Sequence, residues 1–308
     1  MSETLDSLTF RHPTMEDAQQ VLDLMETCEV SEYGESDSDL GDLLHDWGQI
    51  DLNEDAWLVF TSAGDLAGYG DLIPYLEGFR MDIYISPRWR NTTLLEKLYG
   101  CCEAHARALL GTKHGEKVMC RTYPAHINRK QRNFFRRHGY ELVKYHIQMH
   151  IDLEGDIQLK PLPENVALRS MQPGQDEHAI HALVQSAFDR PGRIPQPFEE
   201  WKEFMMRKDI FRPELWFLAV EVEKIIGTCL CFQYEKLGWV RQLAVVEKWR
   251  RKGLGAALLC HAFQVFKERG CVKVGLVVDS DNPNAYRFYQ LLDMYKMRQY
   301  DQYLKVIS

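Results

Sequence analysis

Apolar and polar positions along the chain follow a pattern of strands alternating with amphipathic helices. Val240 to Val246 is rich in Val and Leu with Arg241 and Gln242 interleaved, which predicts a strand. Shortly afterwards Leu254, Leu258, Ala262, Val265 and Phe266 recur at helical spacing on one face. Between them lies a basic turn, Arg250-Arg251-Lys252-Gly253-Leu254-Gly255-Ala256. At a strand-to-helix junction the unbonded N–H groups of the first helical turn and the positive end of the helix dipole face the loop, so an anion is its natural occupant. Gly253 and Gly255 permit close backbone approach or positive φ, and Arg250, Arg251 and Lys252 add charge that a phosphate neutralises.

The same pattern occurs twice, at a lag of about 160 residues. Leu8-Thr9-Phe10-Arg11 followed by Glu16-Asp17-Ala18 matches Ala167-Leu168-Arg169 followed by Asp176-Glu177-His178-Ala179. Trp57-Leu58-Val59-Phe60 with a turn to Asp65-Leu66-Ala67-Gly68 matches Trp216-Phe217-Leu218-Ala219 with a turn to Lys224-Ile225-Ile226-Gly227. Ile85-Ser86-Pro87-Arg88-Trp89-Arg90 matches Val245-Val246-Glu247-Lys248-Trp249-Arg250, and Phe134-Phe135 ahead of Gly139-Tyr140 matches Phe288-Tyr289 ahead of Asp293-Met294. Each copy reads strand, one or two helices, strand meander, strand, basic turn, helix, strand, helix, strand. The expectation is an α+β fold in two tandem domains, residues 1–155 and 165–308. The linker, 156–164, falls in the stretch Glu154 to Asn165 that carries Gly155, Pro161 and Pro163.

Composition narrows the class. With 308 residues, 45% hydrophobic and 27% charged, the chain has enough core for two globular domains. No apolar run approaches a membrane span, and the opening Met1-Ser2-Glu3-Thr4-Leu5-Asp6 is acidic where a signal peptide is basic, so a cytoplasmic protein without membrane partners is expected. A net charge of −8 argues against nucleic acid as a partner. The cysteines at 28, 101, 102, 120, 229, 231, 260 and 271 form no Cys-x-x-Cys pair and have no His at metal spacing; reduced, mostly buried thiols and no metal are expected.

Two motifs carry a family resemblance. Arg250-Arg251-Lys252-Gly253-Leu254-Gly255 is similar to the Arg/Gln-x-x-Gly-x-Gly/Ala signature of the GCN5-related N-acetyltransferase (GNAT) superfamily, and Asn282-Pro283-Asn284-Ala285-Tyr286-Arg287-Phe288-Tyr289 to its late Asn-x-x-Ala-x-x-x-Tyr signature. The resemblance covers residues 164–308 and implies tandem GNAT domains, each a mixed, mostly antiparallel central sheet flanked by helices, with acetyl-CoA as cosubstrate. It further implies that Leu243, Ala244 and Val245 offer backbone groups to the pantetheine and acetyl carbonyl, and that Arg250, Arg251, Lys252, Gly253, Leu254, Gly255 and Ala256 hold the pyrophosphate. Asn282, Asn284 and Arg287 then flank the far side of the cofactor, and Tyr289 lies near the thioester sulfur as general acid. A phenol is chemically suited to that role, since a thiolate departs more easily when a donor protonates it.

The activity implied is direct transfer of an acetyl group to a primary amine, a small molecule, in a ternary complex formed in the C-terminal domain. Two alternatives stay open: a non-catalytic CoA-responsive module, and a peptide or protein acetyltransferase that docks its acceptor on the N-terminal domain. The attacking amine needs a base, for which Glu235, Asp279 and Asp281 border the expected acceptor mouth without any being assigned. The tandem arrangement and the stretch Asp279 to Gln290 also resemble the mycothiol synthase family, from which Trp239 departs by replacing an acidic substrate contact. A monomer is expected, the two copies standing in for a dimer.

The first copy has lost its motifs. Its loop reads Arg90-Asn91-Thr92-Thr93-Leu94-Leu95, with Thr93 and Leu95 in place of the glycines. In its late motif Asn128 remains, Gln131 replaces the alanine and Phe135 the tyrosine, so it reads as a degenerate copy without catalysis. From Glu26 to Asp55 it carries carboxylates and neither Lys nor Arg, a solvated loop or a lure for a cationic acceptor.

Overall fold

The predicted alternation is realised in a computed structural model that describes residues 8–75, 78–111, 118–189 and 194–307; the acidic opening Met1–Asp6 lies outside them. The first copy contributes β1 (Thr9–Arg11), α1 (Ala18–Tyr33), α2 (Leu40–Trp47), α3 (Leu52–Asp55), β2 (Ala56–Phe60) and β3 (Leu66–Tyr75). It continues with β4 (Gly78–Ile85), α4 (Leu94–Gly111), β5 (Val118–Thr122), α5 (Arg129–Arg137) and β6 (Glu141–Asp152). The second copy contributes β7 (Ala167–Ser170), α6 (Glu177–Ala187), α7 (Phe198–Met205), β8 (Trp216–Glu221), β9 (Lys224–Tyr234) and β10 (Leu237–Val245). It ends with α8 (Leu254–Glu268), β11 (Lys273–Asp279), α9 (Pro283–Gln290) and β12 (Tyr295–Ile307). Among the described residues no helix is long and apolar enough to cross a membrane.

The compact units are not the two halves of the sequence. Unit 1 comprises Met1–His146, Asp279–Asp281 and Arg298–Ser308, and unit 2 comprises Ile147–Val278 and Asn282–Met297. Their bounds fall within β6 and β12 and near the end of β11, not in the 156–164 stretch where the sequence suggests a linker. Packing is the reason. Tyr303 and Ile307 of β12 are buried in the core of unit 1 with Cys120, Leu98 and Phe135, and Ile147 and Met149 of β6 are buried in unit 2 with Val274 and Leu276. In unit 1, β12 runs antiparallel to β5 in a ladder from Tyr303↔Thr122 to Ile307↔Val118.

Unit 1 has the strand order β1-β2-β3-β4-β5-β12, and unit 2 has β6-β11-β10-β9-β8-β7. The pairs β1–β2, β2–β3, β3–β4, β5–β12, β7–β8, β8–β9 and β9–β10 are antiparallel and β4–β5 and β10–β11 parallel, which makes the sheet mixed and mostly antiparallel. In unit 2, α8 covers one sheet face with Leu254, Leu258, Ala262 and Phe266, while α6 and α7 cover the other with Ile180, Val184 and Trp201. Each large apolar side chain so buried contributes roughly 1.5–3 kcal/mol.

Pseudo-equivalence of the copies extends to single hydrogen bonds. Asp17 accepts from Arg11 at 2.6 and 2.8 Å and from the Thr14 N–H, and Asp176 accepts from Arg169 at 2.6 and 2.8 Å and from the Gln172 N–H. Arg90 donates to the Cys28 carbonyl where Arg250 donates to that of Ala187, both at 3.3 Å. The side chains of Asn128 and Asn282 both cap the helix that follows, each accepting an N–H three residues on at 3.1 Å. Cys28 therefore corresponds to Ala187, Gln131 to Ala285, and Phe135 to Tyr289.

Candidate functional site

β10 pairs with β9 as far as Val245↔Gly227, but its parallel ladder with β11 stops at Val240↔Leu276. A register shift between Val240 and Gln242 marks a bulge at Arg241, which bends the strand and turns it away from β11. Backbone groups of Leu243, Ala244 and Val245 thus border an opening in the sheet.

The basic turn follows at the end of this strand. A short 3-10 turn at Glu247–Trp249 leads into Arg250, then Arg251 at φ 60 and Gly253 at φ 83. Gly253 is the N-cap of α8 and supplies no side-chain hydrogen bond to it. The helical ladder opens with the Ala257 N–H on the Gly253 carbonyl at 3.0 Å, so the N–H groups of Leu254, Gly255 and Ala256 precede it. With the dipole of a 15-residue helix, such an uncapped N-terminus has the chemistry to hold an anion. A Cβ on Gly253 meets nothing within 4 Å, so that glycine answers to its left-handed backbone and not to crowding.

The side chains of the turn divide their work. Leu254 is buried in the unit 2 core. Arg250, read from sequence as a phosphate ligand, donates Nε to the Val245 carbonyl at 3.1 Å and an Nη to that of Ala187, bracing strand, loop and α6. Lys252 lies over the Trp249 ring, its Nζ 4.9 Å from the centroid. Arg251 is exposed.

Helix α9 brings up the late motif. Asn282 starts it by capping Ala285, Asn284 and Arg287 are exposed, and Tyr289 is half-buried against the unit 2 core beside Phe288, with ring centroids 5.3 Å apart. Burial pushes the Tyr289 phenol well above its ordinary value, and the neighbouring Cys229 adds to the shift, so the group stays protonated across the neutral range.

The candidate bases fare differently. Glu235 sits exposed in the β9–β10 turn at φ 43, at the end of β10 remote from Val245, and so is not at the mouth. Asp279 belongs to unit 1, where His146 and Lys144 bond its carboxylate at 2.7 and 2.9 Å. Burial opposes the charge on Asp279, but those two bonds outweigh it and hold the carboxyl below the usual range, which is unsuited to a base. Asp281 is exposed and also belongs to unit 1.

In unit 1 the corresponding positions are filled from within. The Leu94 N–H at the start of α4 is capped by Thr92 Oγ1 at 3.2 Å. Along β4, Gln131 Nε2 donates to the Ile83 carbonyl at 3.0 Å, and Cys28 Sγ donates to that of Ile85 at 3.2 Å. The one sequence signal for these contacts is that alanines, Ala187 and Ala285, occupy the equivalent positions of the second copy.

The chain has relatives of known family. Residues 178–294 match the family model of the Acetyltransferase (GNAT) family. The mycothiol acetyltransferase of Actinosynnema mirum is 30% identical over 257 residues, covering 80% of this chain and 83% of that protein. That of Arthrobacter sp. (strain FB24) is 26% identical over 247 residues, covering 75% and 72%. Among solved structures, a GCN5-related N-acetyltransferase from Sphaerobacter thermophilus superposes with a TM-score of 0.85 at 30% identity, covering 98% of this chain and 96% of that one. A tandem GNAT protein from the clavulanic acid biosynthesis pathway shares the fold, with a TM-score of 0.73 at 15% identity over 97% and 98% of the two chains. The chain belongs to the GNAT acetyltransferase family, as a tandem N-acetyltransferase distantly like the mycothiol acetyltransferases.

Proposed function

We propose that the chain transfers an acetyl group from acetyl-CoA to the primary amine of a small molecule, by direct attack, at a single active site in unit 2. The observation that carries this reading is the uncapped start of α8 at Gly253 beside the opening that β10 borders. Leu254 to Ala256 would present their N–H groups to the pyrophosphate, with Arg251 and Lys252 adding charge, and Leu243 to Val245 would receive the pantetheine and acetyl carbonyl. Asn282, Asn284 and Arg287 would line the far side. Acetyl-CoA supplies an activated acyl carbon joined to a thiol leaving group.

Tyr289 is assigned the proton donor. As the amine nitrogen bonds to the acyl carbon and the carbon–sulfur bond breaks, the phenolic proton passes to the sulfur, the amine loses a proton to solvent, and the phenolate takes one back from solvent. A phenol kept neutral by burial is in the correct form throughout. That the curated relatives are mycothiol acetyltransferases supports a small-molecule acceptor, and Trp239 in this chain leaves that acceptor's identity its own.

The test is thiol release from acetyl-CoA over a library of small amines and peptides. A turning-over small amine, a thermal shift with acetyl-CoA that vanishes in Gly253→Arg, and a kcat reduced about 100-fold in Tyr289→Phe at unchanged CoA affinity are the expected results. Turnover with peptides alone, or a shift that survives Gly253→Arg, overturns the reading.

A further inference from the structure

The second copy has alanines where the first has Cys28 and Gln131, and the first copy uses both side chains on one strand. The Gln131 carboxamide is fixed at both ends. Its Nε2 donates to the Ile83 carbonyl at 3.0 Å and its Oε1 accepts from Asn128 Nδ2 at 3.2 Å. Ile83 is the counterpart of Leu243, because β4 ends at Ile85 paired with Gly68 as β10 ends at Val245 paired with Gly227. A pantetheine arm approaches such a strand with amide groups. An amide of the protein already holds that carbonyl in unit 1.

Two further positions differ along the same groove. Thr92 Oγ1 satisfies the Leu94 N–H at the start of α4, the place of the anion cradle in unit 2. Leu95, at the position of Gly255, lines the same cavity of unit 1 as Cys28, Ile83, Ile85 and Gln131. The strand carbonyl and the first N–H of the helix are each taken by a side chain of the chain itself, and the Leu95 side chain stands where the second copy has Gly255.

We infer that unit 1 is a self-liganded copy of the cofactor groove, with the Gln131 carboxamide standing in for a cofactor amide, so that each chain takes up one CoA, in unit 2. The inference rests on the assignment of CoA to unit 2. What reads in sequence as decay of a motif is, on this account, replacement of an external ligand by internal ones: an unbonded buried strand carbonyl is costly, and a copy that has given up its ligand keeps its opened strand only by bonding it otherwise.

Titration calorimetry with free CoA tests this on the full chain. One CoA per wild-type chain is expected, with uptake lost in Gly253→Arg. Two CoA per chain, or uptake that persists in Gly253→Arg and is removed by Thr93→Arg, overturns it. The closure itself is tested in the Gly253→Arg background by giving unit 1 the second copy's residues: Gln131→Ala with Thr93→Gly and Leu95→Gly. Uptake of CoA restored by at least tenfold over the Gly253→Arg parent is expected. A graft that keeps the parent's near-UV circular dichroism and takes up no more CoA than the parent shows that these side chains are not what keeps CoA out. Where the graft does not fold, the wild-type chain still decides: the Gln131 side-chain amide should give slowly exchanging 15N–H resonances that CoA does not move, and fast exchange or a shift with CoA sinks the closure. A wild-type chain that takes up no CoA refutes the proposed function instead, leaving closure to be judged by that amide signature.

Discussion

The side-chain carbonyl of Asn282 accepts the Ala285 N–H at 3.1 Å, and this bond starts the helix that carries Tyr289. α9 has only 8 residues, with Pro283 at its first position, so its stability in isolation is marginal and its cap matters. Asn282→Ala is expected to cost about 1 kcal/mol of stability. It should also lower kcat by loosening the placement of Tyr289, whereas Asn282→Asp, which keeps the acceptor, should restore most of both. Thermal melts and thiol-release kinetics on the pair give the answer, and equal rates for the two variants would detach the cap from catalysis.

Gly255 is a position at which the proposed ligand binding can be told apart from folding. A Cβ built there meets Phe288 Cζ at 3.6 Å and Val245 Cγ2 at 3.9 Å, ordinary contact distances, so packing does not demand glycine. Gly255→Ala should leave the melting temperature unchanged or raise it, since alanine in a helix is worth about 0.5–1 kcal/mol over glycine. Affinity for acetyl-CoA should fall roughly tenfold if one charge-assisted bond of about 1.5 kcal/mol is held off by the methyl group. A variant that is both more stable and undiminished in CoA binding would remove Gly255 from the cradle.

Much of this arrangement was legible in the chain itself. The repeat shows because a Trp-led strand, a turn ending in Gly68 or Gly227, and an Arg-led basic turn recur in order, and turn chemistry is local. Division of the strands between units was not legible, because β12 has the alternation of any half-buried strand and nothing local records that Tyr303 will pack in unit 1. Gln131 looked like a lost alanine for a related reason: its partner, the Ile83 carbonyl, is 48 residues away and lacks any side-chain signature. The two bonds that Arg250 makes to the Val245 and Ala187 carbonyls were not legible either, because charge pattern cannot distinguish an arginine facing solvent from one bonded to backbone carbonyls.

Asp71, within the apolar run of β3, should make unit 1 sensitive to pH. It is 3% exposed, sits opposite Asp82 in the β3–β4 ladder, and accepts from the Tyr69 hydroxyl at 2.5 Å. Burial, reinforced by the Asp82 charge, pushes its carboxyl up to about 8. An aspartate in the unfolded chain titrates near 4, so the folded state binds the extra proton between those values. Stability from this group is therefore complete below about pH 4 and is lost as the pH rises through about 8. Asp71→Asn, neutral at every pH, should flatten the fall in melting temperature between pH 5 and 9 and exceed the wild type by about 5 °C at the alkaline end. Parallel melting curves for the two proteins across that range would rule out a raised Asp71.

Removal of the last strand should damage the first copy. A chain ending at Met297 keeps every residue of unit 2 but loses the β12 ladder on β5, together with Tyr303 and Ile307, which are 0% and 1% exposed in the unit 1 core. Each of these large side chains is worth roughly 2–5 kcal/mol against a total stability of about 5–15 kcal/mol for a domain, and β5 loses a row of backbone hydrogen bonds as well. Unit 1 is therefore expected to unfold, and limited proteolysis should cut first within residues 8–146, more than 150 positions from the truncation. Cleavage confined to the second half of the chain, with residues 8–146 left protected, would mean that the first copy is stable without its borrowed strand.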